Sequence, residues 1–212
     1  MAYGARIPLS RKSTCPMKKL WLPLSFIWIC VAFEGIAAAQ SIDLDVPLVR
    51  QDTLAWCWIA SAEMVLRYLG VDPPAQCQIM ERGYGAPPGT CCNDPAQCTR
   101  GGSITEIQSI VASYGGTTSR LDTPRDSLTL AMLLRQSIPI IAHLNLPTGG
   151  HFVVIRGIKH PEKLEKAMVH INDPSAPRPF KIPYGQLMKY WDLALYVAPG
   201  SHLKPAGLER TR

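Results

Sequence analysis

Four side chains carry the chemistry this sequence can offer. Cys57 sits between Trp56 and Trp58, six residues after Gln51. His151 follows Gly149-Gly150 and opens Phe152-Val153-Val154-Ile155, and Asp173 closes Ile171-Asn172-Asp173-Pro174. Cys57 falls at the expected start of a helix, where unpaired N–H groups and the helix dipole favour an anion. A thiolate is such an anion, and it is the nucleophilic form of cysteine. A nearby imidazole completes the activation as an ion pair. His151, held by a strand yet next to two glycines, is the best-placed base. If the strand ending at Asp173 lies beside that of His151, the carboxylate reaches the far ring nitrogen and supports the imidazolium. The amide of Gln51 can join the Cys57 backbone N–H in an oxyanion hole. A cysteine or a histidine alone more often has a structural role. The weight lies in the combination of types, order and local context.

Each residue has a rival or a blander reading. Asn172 is the alternative third member, because strand alternation points it and Asp173 to opposite faces and only one can serve. A carboxylate supports an imidazolium better than an amide does, which favours Asp173. His143 alternates with apolar neighbours and reads as a packed histidine, while His160, His170 and His202 have no partner context. Trp56 and Trp58 read as core, with one of them able to wall a cleft, and Trp191 as packing. Asp122 and Asp126 read as turn and helix-cap residues. No His/Asp/Glu cluster has metal-ligand spacing, so neither a catalytic metal nor a cofactor is expected.

These residues need elements to position them. Residues 41–53 read as a polar, extended opening segment. From Ala55 to Tyr68 the apolar positions recur at helical spacing, with Gly70 as the stop and Pro73-Pro74 beyond it. Residues 71–102 are rich in Pro, Gly, Asn and Cys and read as one long stapled loop. Ser103-Ile104-Thr105-Glu106 is a capping box that opens a second helix. A third helix is expected over Asp126 to Gln136. Strands are expected at Ile138–Leu144, Phe152–Ile158, Ala167–Ile171 and Leu193–Val197, with a short helix at Tyr184–Tyr190. Helices lead and strands follow, which is an α+β order in two layers.

The first 39 residues differ from the rest. Arg6, Arg11, Lys12, Lys18 and Lys19 are followed by a nearly unbroken apolar run from Leu20 to Phe33 and then by Ala37-Ala38-Ala39. Basic, apolar and small, in that order, is a secretory signal peptide. The run is shorter than the roughly 20 residues a membrane span needs. Residues 40–198 then form one domain and 199–212 a loose tail, exported to the periplasm or outside the cell. An uncleaved N-terminal anchor is the alternative. The formal charge of the 212-residue chain is +6. The leader holds five Lys/Arg against one Glu, a net +4, so +2 remains for the rest. That balance, without a basic patch carrying interleaved aromatics, gives no case for nucleic acid.

Cys15 and Cys30 go with the leader, leaving Cys57, Cys77, Cys91, Cys92 and Cys98. An odd number in an exported chain leaves one thiol over. Four of the five cluster, and Cys57 stands apart. A bridge between adjacent Cys91 and Cys92 would be strained. Two pairings stay open: Cys77–Cys91 with Cys92–Cys98, or Cys77–Cys92 with Cys91–Cys98. A four-thiolate zinc site is the alternative, but the paired C-x-x-C knuckles are missing.

Gln51-x5-Cys57-Trp58 followed by Ala60 resembles the active-site segment of papain-like cysteine proteases. Gly150-His151-Phe152-Val153-Val154 and Asn172-Asp173-Pro174 resemble the family's His and Asp/Asn segments. The details are most similar to bacterial members: the double-glycine leader peptidases and the papain-like effector proteases of plant pathogens. The likeness spans roughly residues 45–198. Ala55-Trp56 stands where papain has Gly-Ser, and the Cys-rich insert belongs to neither motif. The double-glycine peptidases are usually fused to a membrane exporter. This sequence has no ATP-binding loop, so leader-peptide cleavage is not carried over.

The resemblance implies a papain-like fold, with an N-terminal helical part and a C-terminal antiparallel sheet. It implies a Cys57, His151 and Asp173 triad with Gln51 in the oxyanion hole. The expected activity is peptide-bond hydrolysis by a monomer on a peptide or protein substrate, with no membrane partner after leader removal. Acyl transfer to an amine, or cleavage of another amide, would use the same triad. A catalytically dead binding module is the third possibility.

Overall fold

The computed structural model describes residues 41–115 and 118–198. The expected leader 1–39 and tail 199–212, with Cys15, Cys30 and His202, lie outside them. Helix α1 runs Cys57–Tyr68 and buries every residue except Arg67. A helix covered on nearly all sides is a central one. It ends as the glycine requires. Gly70 has φ 82°, Gly70 N–H donates to Arg67 O, and Val71 N–H donates to Leu66 O, which together close the last turn as a Schellman motif.

The stretch expected to be a loop is partly helical. It holds α2 (Gln76–Tyr84), the single turn α3 (Thr90–Asn93) and a 3₁₀ turn at Pro95–Cys98. Few apolar residues mark α2, and Ile79 and Met80 are those it buries, so its periodicity is too faint to read. The capping box forms at the start of α4 (Ile104–Gly115): Ser103 N–H donates to Glu106 (2.7 Å) and Glu106 N–H to the Ser103 hydroxyl (3.2 Å). Helix α5 spans Ser127–Arg135, with Asp126 accepting from the N–H groups of Leu128 and Thr129, both at 3.0 Å. Asp126→Ala should cost about 1 kcal/mol. A lower denaturant midpoint at unchanged slope would show it; an unmoved midpoint would mean the cap is idle.

The strands are β1 (Ile42–Asp43), β2 (Thr118–Asp122), β3 (Ile140–Leu146), β4 (Gly149–Lys159), β5 (Met168–Asn172), β6 (Phe180–Pro183) and β7 (Trp191–Ala198). Helix α6 is short, Tyr184–Leu187. All pairings are antiparallel, in the order β2-β7-β3-β4-β5-β6, and β1 adds to β4. Strand β3 stops pairing with β4 at Ile155. β1 takes the side thus freed, opposite Gly157 and Ile158. The sheet matches the expected α+β class, but two layers understates it. Ile141, Phe152, Val154, Leu195 and Val197 pack under α1, α2 and α4. Ala142, Val153, Ile155, Val169 and Ala194 face Leu130 and Leu134 of α5 and Leu187 of α6 on the other side. The alternation of side chains along each strand feeds both cores. Among the described residues, no helix is long and apolar enough to cross a membrane.

Candidate active site

Cys57 is the first residue of α1, and no side chain caps that end. The N–H groups of the first helical turn have no intrahelical acceptor, so they face whatever approaches the thiol. Among the described residues, Cys57 is the one free cysteine. The other four form Cys77–Cys92 and Cys91–Cys98. That selects one of the two open pairings and leaves no thiolate in the cluster for zinc.

His151 lies in β4, opposite Leu144 of β3. Its Nε2 is 2.8 Å from Asp173 Oδ1. Asp173 follows the last residue of β5, the neighbour of β4. Burial alone would push the His151 pKa down. The hydrogen bond with Asp173, with the influence of Cys57 added, outweighs it and raises the pKa from 6.5 to about 9. With Nε2 committed to Asp173, Nδ1 is the nitrogen left to face the thiol. Asp173 Oδ1 also accepts from Ser175 N–H (2.8 Å) and from the Ser175 hydroxyl (2.6 Å). Burial raises the Asp173 pKa, but the hydrogen bonds from His151 and Ser175 hold it below the usual value. A carboxylate fed by three donors stays ionised.

Asn172 goes elsewhere. It is fully buried, and its Nδ2 donates to Val46 O at 2.8 Å. It therefore ties the opening segment to the sheet rather than facing His151. Gln51 is held on both flanks. Its own N–H donates to Pro174 O, next to Asp173 (3.1 Å). Its Nε2 donates to Thr53 O (2.8 Å), which also accepts from Trp56 N–H (3.3 Å). One amide N–H is used there and the second remains.

Two positioning residues escaped sequence reading. Gln76, buried in α2, donates to Arg50 O (2.8 Å) and accepts from Asp52 N–H (3.0 Å), so it clamps both neighbours of Gln51. It also donates to Glu63 of α1 at 3.0 Å. A Gln in a Pro-rich stretch gives no sequence signal of this. Ser175 does have one, since Asp-Pro-Ser is turn chemistry.

The other histidines among the described residues are not bare. His143 Nδ1 is 2.6 Å from Asp192 Oδ1, and its ring packs on Phe152. His160 Nδ1 lies 3.8 Å from Glu162. His170, expected to lack a partner, is buried with Nδ1 3.0 Å from Asp43 Oδ2. Its pKa is pushed down by burial, against the pull of Asp43. The partners of His143 and His170 are remote in sequence and give no local signal, whereas Glu162 lies two residues from His160. Trp191 is buried and donates to Leu193 O. Asp122, expected in a turn, ends β2 and pairs with Arg120 and Arg125.

No curated protein matches this sequence. Solved structures do match the fold. One is a double glycine motif protease from an AMS/PCAT transporter, in complex with the leader peptide. It is 22% identical with a TM-score of 0.50, covering 74% of this chain and 94% of that one. Another, from Bacillus anthracis and classed as a C39-like peptidase, is 15% identical with a TM-score of 0.52, covering 76% of this chain and 100% of the other. The model of the Peptidase_C39 like family matches residues 43–198, the span that holds Gln51, Cys57, His151 and Asp173. By that match the chain belongs to the Peptidase_C39 like family, a group of papain-like peptidases.

Proposed function

We propose that this chain is a cysteine peptidase that hydrolyses peptide bonds through a thioacyl-enzyme. The observation that carries the reading is the His151–Asp173 hydrogen bond at 2.8 Å, on a histidine whose pKa is also raised by Cys57, the one free cysteine among the described residues. The Cys57 thiolate attacks the scissile carbonyl. The backbone N–H of Cys57 and the remaining amide N–H of Gln51 bind the oxyanion. His151, charged as the imidazolium, gives its proton to the leaving amine and then takes one from water as the acyl group is released. Asp173 holds the ring and supports its charge. No cofactor enters any step, and one chain supplies every group, so a monomer suffices. The substrate is a peptide or protein segment. The domain spans 40–198, carried outside the cytoplasm by the leader 1–39, with 199–212 as a tail. A reductant keeps the thiol active.

The test is a pair of measurements on the folded chain. Iodoacetamide should label Cys57 at neutral pH at least about tenfold faster than it labels the same thiol after denaturation. A mixed peptide substrate should give hydrolysis products, unchanged in kind when a primary amine is added. Labelling no faster than in the denatured chain sinks the enzyme reading. Amine-capped products would replace hydrolysis by acyl transfer.

A further inference from the structure

Trp56 and Trp58 flank Cys57, and both are almost completely buried. A buried indole N–H must find an acceptor. Trp56 Nε1 donates to Cys98 O at 3.1 Å, and Trp58 Nε1 to Arg100 O at 3.2 Å. The Trp58 ring lies flat on Gly102, where a Cβ would stand 2.2 Å from the ring and so cannot exist. The Arg100 guanidinium sits over the Trp58 ring and over Tyr84, and pairs with Glu106 at 2.5 Å. Three alternate residues, Cys98, Arg100 and Gly102, thus grip the two side chains on either side of the nucleophile.

What holds that grip in place is narrow. Between Glu81 and Ile104, the buried residues are Cys91 and Cys98, the two halves of one disulfide. Glu81 accepts from the N–H of Cys91 (2.9 Å) and of Cys92 (3.0 Å), which fixes the start of the loop. The companion bridge, Cys77–Cys92, ends on an exposed Cys92 and touches neither tryptophan through these bonds. The inner bridge is therefore the anchor from which the indole acceptors hang.

We propose that the Cys91–Cys98 disulfide is a positioning element for Cys57, acting through the indole N–H groups of Trp56 and Trp58. The step rests on the peptidase reading above and adds a requirement to it. Cys57 must be a free thiol while Cys91 and Cys98 stay joined. Without the bridge, Cys98 O and Arg100 O drift, the indoles lose their acceptors, and the first turn of α1 is no longer held against His151. Small misplacement of a reacting group is expensive in rate, up to about 100-fold for 1 Å.

Four variants of the full chain test this, each measured for kcat, KM, Tm and the pH dependence of Cys57 alkylation. C91A/C98A should lower kcat by about tenfold or more with KM little changed, and should move the alkylation pH profile toward that of an unfolded thiol. C77A/C92A should keep kcat within about twofold and leave the profile in place. W56F and W58F, which keep a ring but remove the N–H, should reproduce the profile change with both disulfides intact. They also keep the proposal testable if C91A/C98A does not fold. Two results overturn it: equal kcat losses in both disulfide variants that simply follow Tm, or tryptophan variants with the wild-type profile. If the wild-type chain neither cleaves peptides nor labels faster than a denatured thiol, the peptidase reading has failed first. That outcome is distinct from an active wild type with indifferent variants.

Discussion

Cys57→Ala should abolish peptide hydrolysis, lowering kcat by about 10⁴-fold or more, with Tm within a few degrees of wild type. The activity loss follows from the proposed mechanism. With the nucleophile gone, the His151–Asp173 pair has nothing to activate, and only the binding and oxyanion contributions are left. The small stability change follows from the site. Cys57 is buried at the end of a helix whose other residues carry the packing. Deleting one sulfur there costs about 1 kcal/mol, or about 2–4 °C in a chain of this size. Cys57→Ser should be nearly as inactive, because a hydroxyl at that position stays protonated where a thiol can ionise. Steady-state hydrolysis beside a melting curve checks both halves. Residual activity above about 1% of wild type would mean that another group attacks the substrate.

The second large effect is expected at Asp173. His151 has a folded pKa of about 9 against 6.5 for the free ring. A raised histidine pKa contributes stability that is fully present below about 6.5 and is lost as pH rises through about 9. Asp173 has the opposite sense. Its folded pKa lies below 3.8, so its contribution is present above that value and is lost as pH falls through the folded one. Activity should therefore hold through neutral pH and fall on the alkaline side near 9, where the imidazolium that protonates the leaving amine disappears. Asp173→Ala removes the largest effect that raises the His151 pKa. The alkaline limb should move toward neutrality and kcat should drop by on the order of 100-fold. A pH–rate profile of both proteins decides it. An alkaline limb unmoved in Asp173→Ala would separate the carboxylate from His151 in function, whatever their distance.

Much of this site was legible because its signals are local. Ser103 and Glu106 cap within four residues, Gly70 stops α1, and Asp126 caps α5. The Cys57, His151 and Asp173 segments each announce their own context, a helix start, a strand start and a strand end. The disulfide choice was not legible, because both pairings close loops of similar length. It follows from α3. Successive residues on a helical turn point about 100° apart. Cys91 therefore turns inward to Cys98, while Cys92 turns outward to Cys77. Gln76, the short strands β1 and β6, and the His170–Asp43 contact were not legible. The partners of Gln76, β1 and His170 are distant in sequence, while β6 pairs with the preceding β5 but is a mostly exposed edge strand without a clear apolar alternation. Trp56 and Trp58 read as core from the sequence, and both are buried. Their N–H acceptors, in a loop more than a helix away, could not be seen from the residues around them.

The place of β7 has a consequence for the life of each molecule. Although it is the last strand described, β7 lies inside the sheet, between β2 and β3. A ribosome delivers the chain from its N-terminus at about 5–20 residues per second. Cys57 therefore emerges on the order of 10 s before β7 is available. In that interval the thiol exists, but the sheet that carries His151 and places Asp173 beside it cannot close. The candidate site is complete only once β7 has been made. On the proposed reading, a nascent chain still lacking β7, with its own unfolded segments within reach, carries Cys57 without its assembled partners.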